Sequence, residues 1–362
     1  MGSVNAPVPA SSLSNDVLLI AVFEPPDEKW MAKIEARYPG LKVRWVVQGD
    51  HPEPLPAEVF DGVTLLCTLF PSSYPPDLLK RLRYVQLISA GADRWTQHEL
   101  YKNPDVLFCT ANGVHAIPIA EWVVTTFLMA NHRFLAYAAQ QAKATWFRLP
   151  NAGVTDAAGM RMGILGYGAI GRQVARLAAA LGIEVYAYAR SARPDAASRR
   201  DDDSYRVPGT GDPEGAIPAK WFHGGSREEV NAFLAQDLDV LVLSLPLTDA
   251  TRHVLGREQF EILARKRTFV VNVARGAVVD TDALVEALKE GKIRGAALDV
   301  TDPEPLPDGH PLWSAENCFI TPHVSWQTPR LYERIKDLLE QNLERLAQGK
   351  RMINAVDRVN QY

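Results

Sequence analysis

Apolar residues recur along this chain in two alternating patterns. Short runs rich in β-branched and aliphatic side chains mark strands buried on both faces. Longer stretches with an apolar position every three or four residues mark helices packed by one side. Strands are predicted over 17–23, 41–47, 62–67, 84–89 and 106–110, with helices over 26–38 (Trp30, Met31 and Ile34 on the apolar face) and 75–82. A long apolar-rich helix over 117–145 then interrupts the rhythm. A second series follows, with strands over 161–165, 183–188, 239–244, 268–272, 295–299 and 317–321 and helices over 169–181, 226–236, 281–290 and 328–348.

Strands alternating with helices imply parallel sheets covered on both faces. The chain is therefore expected to be an α/β protein of two Rossmann-like or flavodoxin-like domains, one inserted in the other. The outer domain takes 16–117 plus 327–362 and the inner one 118–326. A length of 362 residues suits two cores rather than one. One stretch, 193–225, breaks the pattern: it holds three consecutive aspartates, several Pro and Gly, and no sustained apolar period. It reads as a solvated surface insertion in the inner domain.

Charge and composition narrow the partners. With 39 Lys+Arg against 43 Asp+Glu the net charge is −4, which offers no basic field for nucleic acid. The apolar runs are too short to span a bilayer, so no membrane is expected. Cys67, Cys109 and Cys318, widely spaced and odd in number, form neither a disulfide framework nor a zinc pattern, and no metal site is expected. Residues 1–15 carry no basic or apolar targeting segment, and 360–362 is not a peroxisomal tripeptide. The expected location is the cytoplasm.

Between the predicted strand at 161–165 and the helix at 169–181 lies Gly166-Tyr167-Gly168-Ala169-Ile170-Gly171, a G-x-G-x-x-G turn. Its first glycine permits the tight turn, the second lets backbone N–H groups approach a pyrophosphate, and the third lets the helix pack close. The inner domain is thus expected to bind a nicotinamide dinucleotide. Folds that take NAD usually place a carboxylate at the end of the next strand, for the ribose hydroxyls. Here that position reads Ala189-Arg190-Ser191-Ala192-Arg193. Arg190 and Arg193, with Ser191, suit a 2′-phosphate, so NADP(H) is the expected cofactor and NAD(H) the second choice. Arg199, Arg200 or Arg206 in the adjoining insertion could extend that site.

Several separated motifs together resemble the D-isomer-specific 2-hydroxyacid dehydrogenases. They are Ser89-Ala90-Gly91-Ala92-Asp93, Ile119-Ala120-Glu121, Leu245-Pro246-Leu247-Thr248 followed by Thr251, Asn272-Val273-Ala274-Arg275-Gly276, the 298–305 segment that carries Asp299 and Glu304, and Thr321-Pro322-His323. The resemblance extends over the chain outside the first 15 residues and the insertion. It implies a catalytic trio. Arg275 clamps and polarises a 2-oxo acid, His323 supplies the proton, and Glu304 orients and charges the imidazole. It also implies that backbone N–H groups near Ala90 and Gly91 take the substrate carboxylate. Asp299 is placed near the nicotinamide, and Leu245, Pro246, Thr251, Val273, Ala274, Arg275, His323 and Ser325 beside the cofactor.

After His323 many relatives have two small residues, whereas this chain has Ser325 and Trp326. Trp326 either walls the substrate pocket or packs beneath it. Phe70, Trp95 and Trp146 read as core, with pocket wall as the alternative. The expected reaction is NADPH-dependent reduction of a small 2-oxo acid, such as glyoxylate or hydroxypyruvate, to the D-2-hydroxy acid. A formate dehydrogenase would pair its histidine with glutamine, where Glu304 stands here. A nucleotide-sensing corepressor-like scaffold shares the fold and the trio and is the non-enzymatic alternative. A homodimer is expected through the bridging helix, with Trp122, Val123, Phe127, Leu128 and Phe134 offering apolar surface.

Overall fold

The computed structural model describes residues 13–49, 54–71, 74–150, 154–201 and 204–358. Residues 1–12 and 360–362, on which the reading of sorting signals rests, lie outside them. The chain divides into two compact units. The first comprises 1–114, 203–207 and 329–362, and the second 115–202 and 208–328. The sequence reading drew these boundaries at 117/118 and 326/327 and did not foresee the excursion at 203–207.

In chain order the strands are β1 (Val17–Val22), β2 (Lys42–Val47), β3 (Leu65–Thr68), β4 (Tyr84–Leu87), β5 (Leu107–Cys109), β6 (Arg161–Leu165), β7 (Glu184–Ala189), β8 (Lys220–His223), β9 (Val240–Leu243), β10 (Phe269–Asn272), β11 (Gly295–Leu298) and β12 (Cys318–Ile320). The helices are α1 (Glu28–Arg37), α2 (Glu99–Lys102), α3 (Ala116–Asn131), α4 (Phe134–Ala142), α5 (Ala169–Ala180), α6 (Ala196–Arg199), α7 (Arg227–Leu234), α8 (Arg257–Ala264), α9 (Thr281–Lys289) and α10 (Leu331–Ala347).

In the first unit five parallel strands run in the order β2-β1-β3-β4-β5, with Ile20 paired to Trp45 on one side and Cys67 on the other. Both faces are covered, and β3 and β4 are buried at every position, including the polar Thr68 and Gln86. Leu19, Leu66, Val85, Trp95 and Phe108 belong to its core. Asp27 starts α1 by accepting from the Trp30 N–H at 3.0 Å, and Trp30 and Ile34 turn inward as expected.

The second unit carries seven parallel strands in the order β12-β11-β10-β9-β6-β7-β8. The order reverses beside β6, so the C-terminal ends of β6 and β9 flank a topological switch point. This confirms two parallel-sheet α/β domains. Several local expectations need correction. The 75–82 helix is only a short 3₁₀ turn, Pro76–Leu78. The 117–145 helix is two helices, broken at Arg133, whose φ is 57°. The cause is Asn131: fully buried, it accepts from the Arg294 guanidinium at 2.7 Å, which ties the end of α3 to the second unit's core. Helix α8 was not foreseen.

The 193–225 insertion is not a loose surface loop. It contributes β8 at the sheet edge and α6, and it is bonded to α5. Arg172 and Gln173 of α5 are buried. Arg172 donates to the carbonyls of Asp212 and, at 2.7 Å, Arg199, while Gln173 accepts from the Gly211 N–H at 2.6 Å. Buried Asp212 in turn accepts from Ala216 N–H at 3.0 Å and from the Tyr167 hydroxyl at 2.8 Å. Residues 203–207 belong to the first unit, where Tyr205 is 4% exposed. Its hydroxyl donates to Asp337 at 2.9 Å and its N–H to Asn354 at 3.2 Å.

That anchoring has a measurable strength. Tyr205→Phe removes one hydrogen bond and is expected to lower unfolding free energy by about 1 kcal/mol. Tyr205→Ala also empties a buried site, with an expected loss of about 3–5 kcal/mol. Urea unfolding reads both. An alanine variant as stable as the parent would show that 203–207 is not held in the first unit's core.

Candidate active site

Gly166 ends β6 in a left-handed turn, φ 106°, and a Cβ there would come within 2.7 Å of the Leu245 nitrogen. At Gly171 a Cβ would lie 2.4 Å from the Gly166 carbonyl oxygen, so the first turn of α5 seats directly on the loop. Gly168 differs: nothing lies within 4 Å of its missing Cβ. The fold itself demands the first and third glycines, whereas the second leaves space open at the start of α5. Exposed backbone at a helix N-terminus, free of any side chain, fits a pyrophosphate.

The same loop fixes the end of β7. The N–H groups of Gly166 and Tyr167 both donate to the Tyr188 carbonyl, each at 3.1 Å. Two residues on, Arg190 is exposed and makes no hydrogen bond or ion pair among the described residues. Ser191 is exposed as well. Arg193 is otherwise engaged, since its guanidinium donates to the Ser198 carbonyl at the end of α6. The expected pair of arginines is thus one available cation and one structural clamp. Of the other candidates, Arg199 donates to the carbonyls of Arg193 at 3.0 Å and Pro194 at 3.2 Å. Arg200 pairs with Glu214 at 3.1 Å, and Arg206 lies in the stretch belonging to the first unit.

The strands β10, β11 and β12 are adjacent, and their C-terminal ends bring the trio's loops together. After β10, buried Asn272 templates the turn: its side chain accepts from Ala274 N–H at 3.0 Å and donates to the Arg275 carbonyl at 3.1 Å. Gly276 then lies flat against the next loop, where a Cβ would come within 1.9 Å of the Thr301 carbonyl oxygen. Only glycine allows that approach, which sets the Arg275 turn against the segment leading to Glu304. After β12, His323 adopts a left-handed conformation (φ 56°), and its Nδ1 lies 2.7 Å from Glu304 Oε1. With Nδ1 held by the carboxylate, Nε2 is the nitrogen left for chemistry. Both side chains keep contact with solvent, at 30% and 38% exposure.

What holds His323 in that conformation was not legible beforehand. Asp299, at the end of β11 and 2% exposed, accepts from Thr321 Oγ1 at 2.6 Å, Val324 N–H at 2.9 Å, Ser325 N–H at 3.0 Å and the Ser325 hydroxyl. The His323 N–H donates to the Asp299 carbonyl at 2.8 Å. Asp299 and Ser325, expected at the cofactor, are therefore bonded to each other. Trp326 packs on the second unit's core, and its indole N–H donates to the His323 carbonyl at 2.7 Å. Thr251 likewise serves its own loop, donating to the Pro246 carbonyl at 2.7 Å, and Leu245 packs on the core. Val273 and Ala274 turn their side chains into the core.

In the first unit, Ala90 and Gly91 follow β4. The Ser89 hydroxyl donates to the Gly91 carbonyl at 2.7 Å, while the N–H groups of Ala90 and Gly91 bond to nothing among the described residues. That suits an anion. Thiol chemistry is disfavoured: burial pushes Cys67 and Cys318 up to about 12 and Cys109 higher still. Trp95 is core, as read, but Trp146 is fully exposed.

Comparison with known proteins places these features. The family model described as D-isomer specific 2-hydroxyacid dehydrogenase, NAD binding domain, matches residues 124–208 and 219–325. The chain is 32% identical over 303 residues to a glyoxylate reductase of Aeropyrum pernix, covering 81% of this chain and 82% of that one. It is 33% identical over 290 residues to an uncharacterized protein in the proB 3′ region of Corynebacterium melassecola, covering 79% and 86%. Among solved structures it is similar to a D-isomer specific 2-hydroxyacid dehydrogenase from Xanthobacter autotrophicus Py2 in complex with NADPH and MES. The TM-score is 0.74 at 27% identity, covering 96% of this chain and 100% of that one.

The glycines separate shape from binding. Gly276→Ala drives a methyl group into the Thr301 backbone and is expected to destabilise the fold by at least about 1–3 kcal/mol. Gly168→Ala meets no atom, and is expected to unfold within about 1 kcal/mol of the parent. Denaturant titration of the two variants checks the contrast, and equal losses would refute it.

Proposed function

Because this chain belongs to the D-isomer-specific 2-hydroxyacid dehydrogenase family, we propose that it reduces a small 2-oxo acid of the glyoxylate or hydroxypyruvate kind to the D-2-hydroxy acid, using NADPH in preference to NADH. The observation that carries this reading is the 2.7 Å contact between His323 Nδ1 and Glu304, set beside the Arg275 turn. Reduction of a carbonyl needs a proton at oxygen and a hydride at carbon. A bound nicotinamide dinucleotide supplies the hydride. Gly166, Gly168, Ala169, Ile170 and Gly171 would hold its pyrophosphate, and Arg190 its 2′-phosphate.

The chain's own residues do the rest. Arg275 presents a planar fork to the substrate's carboxylate and carbonyl oxygens, which fixes the acid and draws electron density toward the oxygen. In the first unit, the free N–H groups of Ala90 and Gly91 suit a carboxylate. His323, as imidazolium, donates its Nε2 proton to the oxygen as the alkoxide develops. Glu304 keeps the ring aligned and balances its charge. A carboxylate partner suits a histidine that must load and release a proton in each turnover, which favours this reaction over formate oxidation.

We place the enzyme in the cytoplasm as a homodimer. Among the described residues no helix is long and apolar enough to cross a membrane. Val123 and Phe127 are wholly buried in the second unit's own core, so they offer no surface to a partner. The apolar surface lies further along: Phe134, Leu135 and Tyr137 of α4, with Trp146 and Phe147, are exposed. A second copy would cover them.

Three outcomes are expected from initial rates with 2-oxo acids. His323→Ala lowers kcat for reduction by about 10²–10⁴-fold, the usual contribution of a positioned acid. Reduction by the parent consumes a proton, so it falls as pH rises, while oxidation of the hydroxy acid gains. Arg190→Ala cuts the ratio of kcat/KM with NADPH to that with NADH by about 10- to 100-fold, equivalent to one charge-assisted contact. A parent enzyme that turns over only with NADH would refute the cofactor assignment, and a flat reduction profile with an active His323→Ala variant would refute the acid.

A further inference from the structure

We infer that Arg94 gives this enzyme a second anion site, so that its preferred 2-oxo acids carry an additional carboxylate or phosphate at the end remote from the reacting carbonyl. The inference rests on the 2-oxo acid reduction proposed above and refines its substrate class. In the first unit the strand order reverses between β1 and β3. Ligands of open parallel sheets collect outside the C-terminal ends of strands at such a reversal. Phe23 follows β1 and Phe70 lies two residues past β3, and their rings meet edge to face at 6.1 Å. The guanidinium of Arg94 stands 5.2 Å from the centre of the Phe70 ring.

Arg94 is placed there by structure on either side of it. It sits in the short turn Asp93–Trp95, which starts two residues after Gly91, the proposed carboxylate loop. Trp95, 1% exposed, locks that turn by donating its indole N–H to the Leu69 carbonyl at 3.1 Å, next to Phe70. Yet Arg94 itself is exposed and makes no hydrogen bond or ion pair among the described residues. Arginines that brace this unit are paired, as Arg83 is with Asp16 at 2.6 Å. A guanidinium resting on an aromatic face keeps its N–H edge available for an anion. The Phe23–Phe70 pair supplies an apolar floor for the intervening methylenes. A substrate whose first carboxylate meets Ala90 and Gly91 would bring its distal anion toward Arg94.

The test compares kcat/KM for oxaloacetate, 2-oxoglutarate and 3-phosphohydroxypyruvate with that for glyoxylate and 2-oxobutyrate, in the parent, Arg94→Gln and Arg94→Lys. The expected result is a preference for at least one dianion in the parent. That preference, as a ratio to 2-oxobutyrate, falls about 10- to 100-fold in Arg94→Gln, mainly through KM, and recovers in part in Arg94→Lys. Which dianion leads identifies carboxylate or phosphate as the group taken. A parent that reduces glyoxylate and 2-oxobutyrate as well as any dianion, with ratios unmoved by Arg94→Gln, would overturn the inference and leave the proposed reaction standing. Turnover of no 2-oxo acid with either cofactor would overturn both.

Discussion

One buried carboxylate organises the catalytic end of the second unit. Asp299 receives donors from Thr321, Val324 and Ser325, and its own carbonyl receives the His323 N–H. Hydrogen bonds to a charged acceptor contribute about 1.5–3 kcal/mol each. Several of them outweigh the roughly 1–3 kcal/mol by which a non-glycine residue resists an unusual backbone conformation. His323 can therefore stand at φ 56°, turned to Glu304, without a flexible loop around it. The geometry of the proposed proton donor is set one strand away from the residue itself.

The arrangement also depends on how parallel strands end. Adjacent strands in one direction deliver their following loops to one edge. The Asp299 N–H bonds to the Asn272 carbonyl at 3.0 Å, and Thr321 N–H to the Leu298 carbonyl at 2.9 Å, so the ladder runs on past the strands into the loops. Loops so spaced must nearly touch, and Gly276 is where they do, against Thr301. The phosphate loop repeats the solution, with Gly166 against Ser244 and Leu245. In both places the missing side chain serves backbone packing. Gly168 is the exception, with nothing within 4 Å of its missing Cβ.

Much of this was legible before any coordinates. The two sheets announced themselves because both-face burial makes strands such as β9 (Val-Leu-Val-Leu) unbroken apolar runs. The residues proposed as a trio stood out by their order along the chain, and two of them, His323 and Glu304, meet at 2.7 Å. What was lost has physical causes. The bonds of Asp299 to its own loop were not foreseen because a carboxylate at a strand end gives no sign of them. The break at Arg133 was hidden because Asn131 owes its burial to Arg294, far away in sequence. Strand β8 was missed because four residues, Lys-Trp-Phe-His, carry too little periodicity between a Pro/Gly-rich lead-in and Gly224-Gly225.

The insertion shows why low apolar content was a poor guide to structure. Its anchors are polar: the Asp212 carboxylate accepts from Tyr167 and its carbonyl from Arg172, while Gln173 accepts from the Gly211 N–H. Burial lowers the Arg172 pKa and Asp201 and Asp212 oppose that shift, so the guanidinium belongs to a compensated buried network. Burial, with the Asp212 carboxylate behind it, holds the Tyr167 phenol well above its ordinary value and keeps it a neutral donor. A helix with such residues on its inner face is incomplete without the segment that meets them. Because Tyr167 lies between Gly166 and Gly168, the network that seats the insertion also braces the phosphate loop. The 193–225 segment therefore supports the glycine loop after β6, and its arginines say less about its purpose than its buried aspartate does.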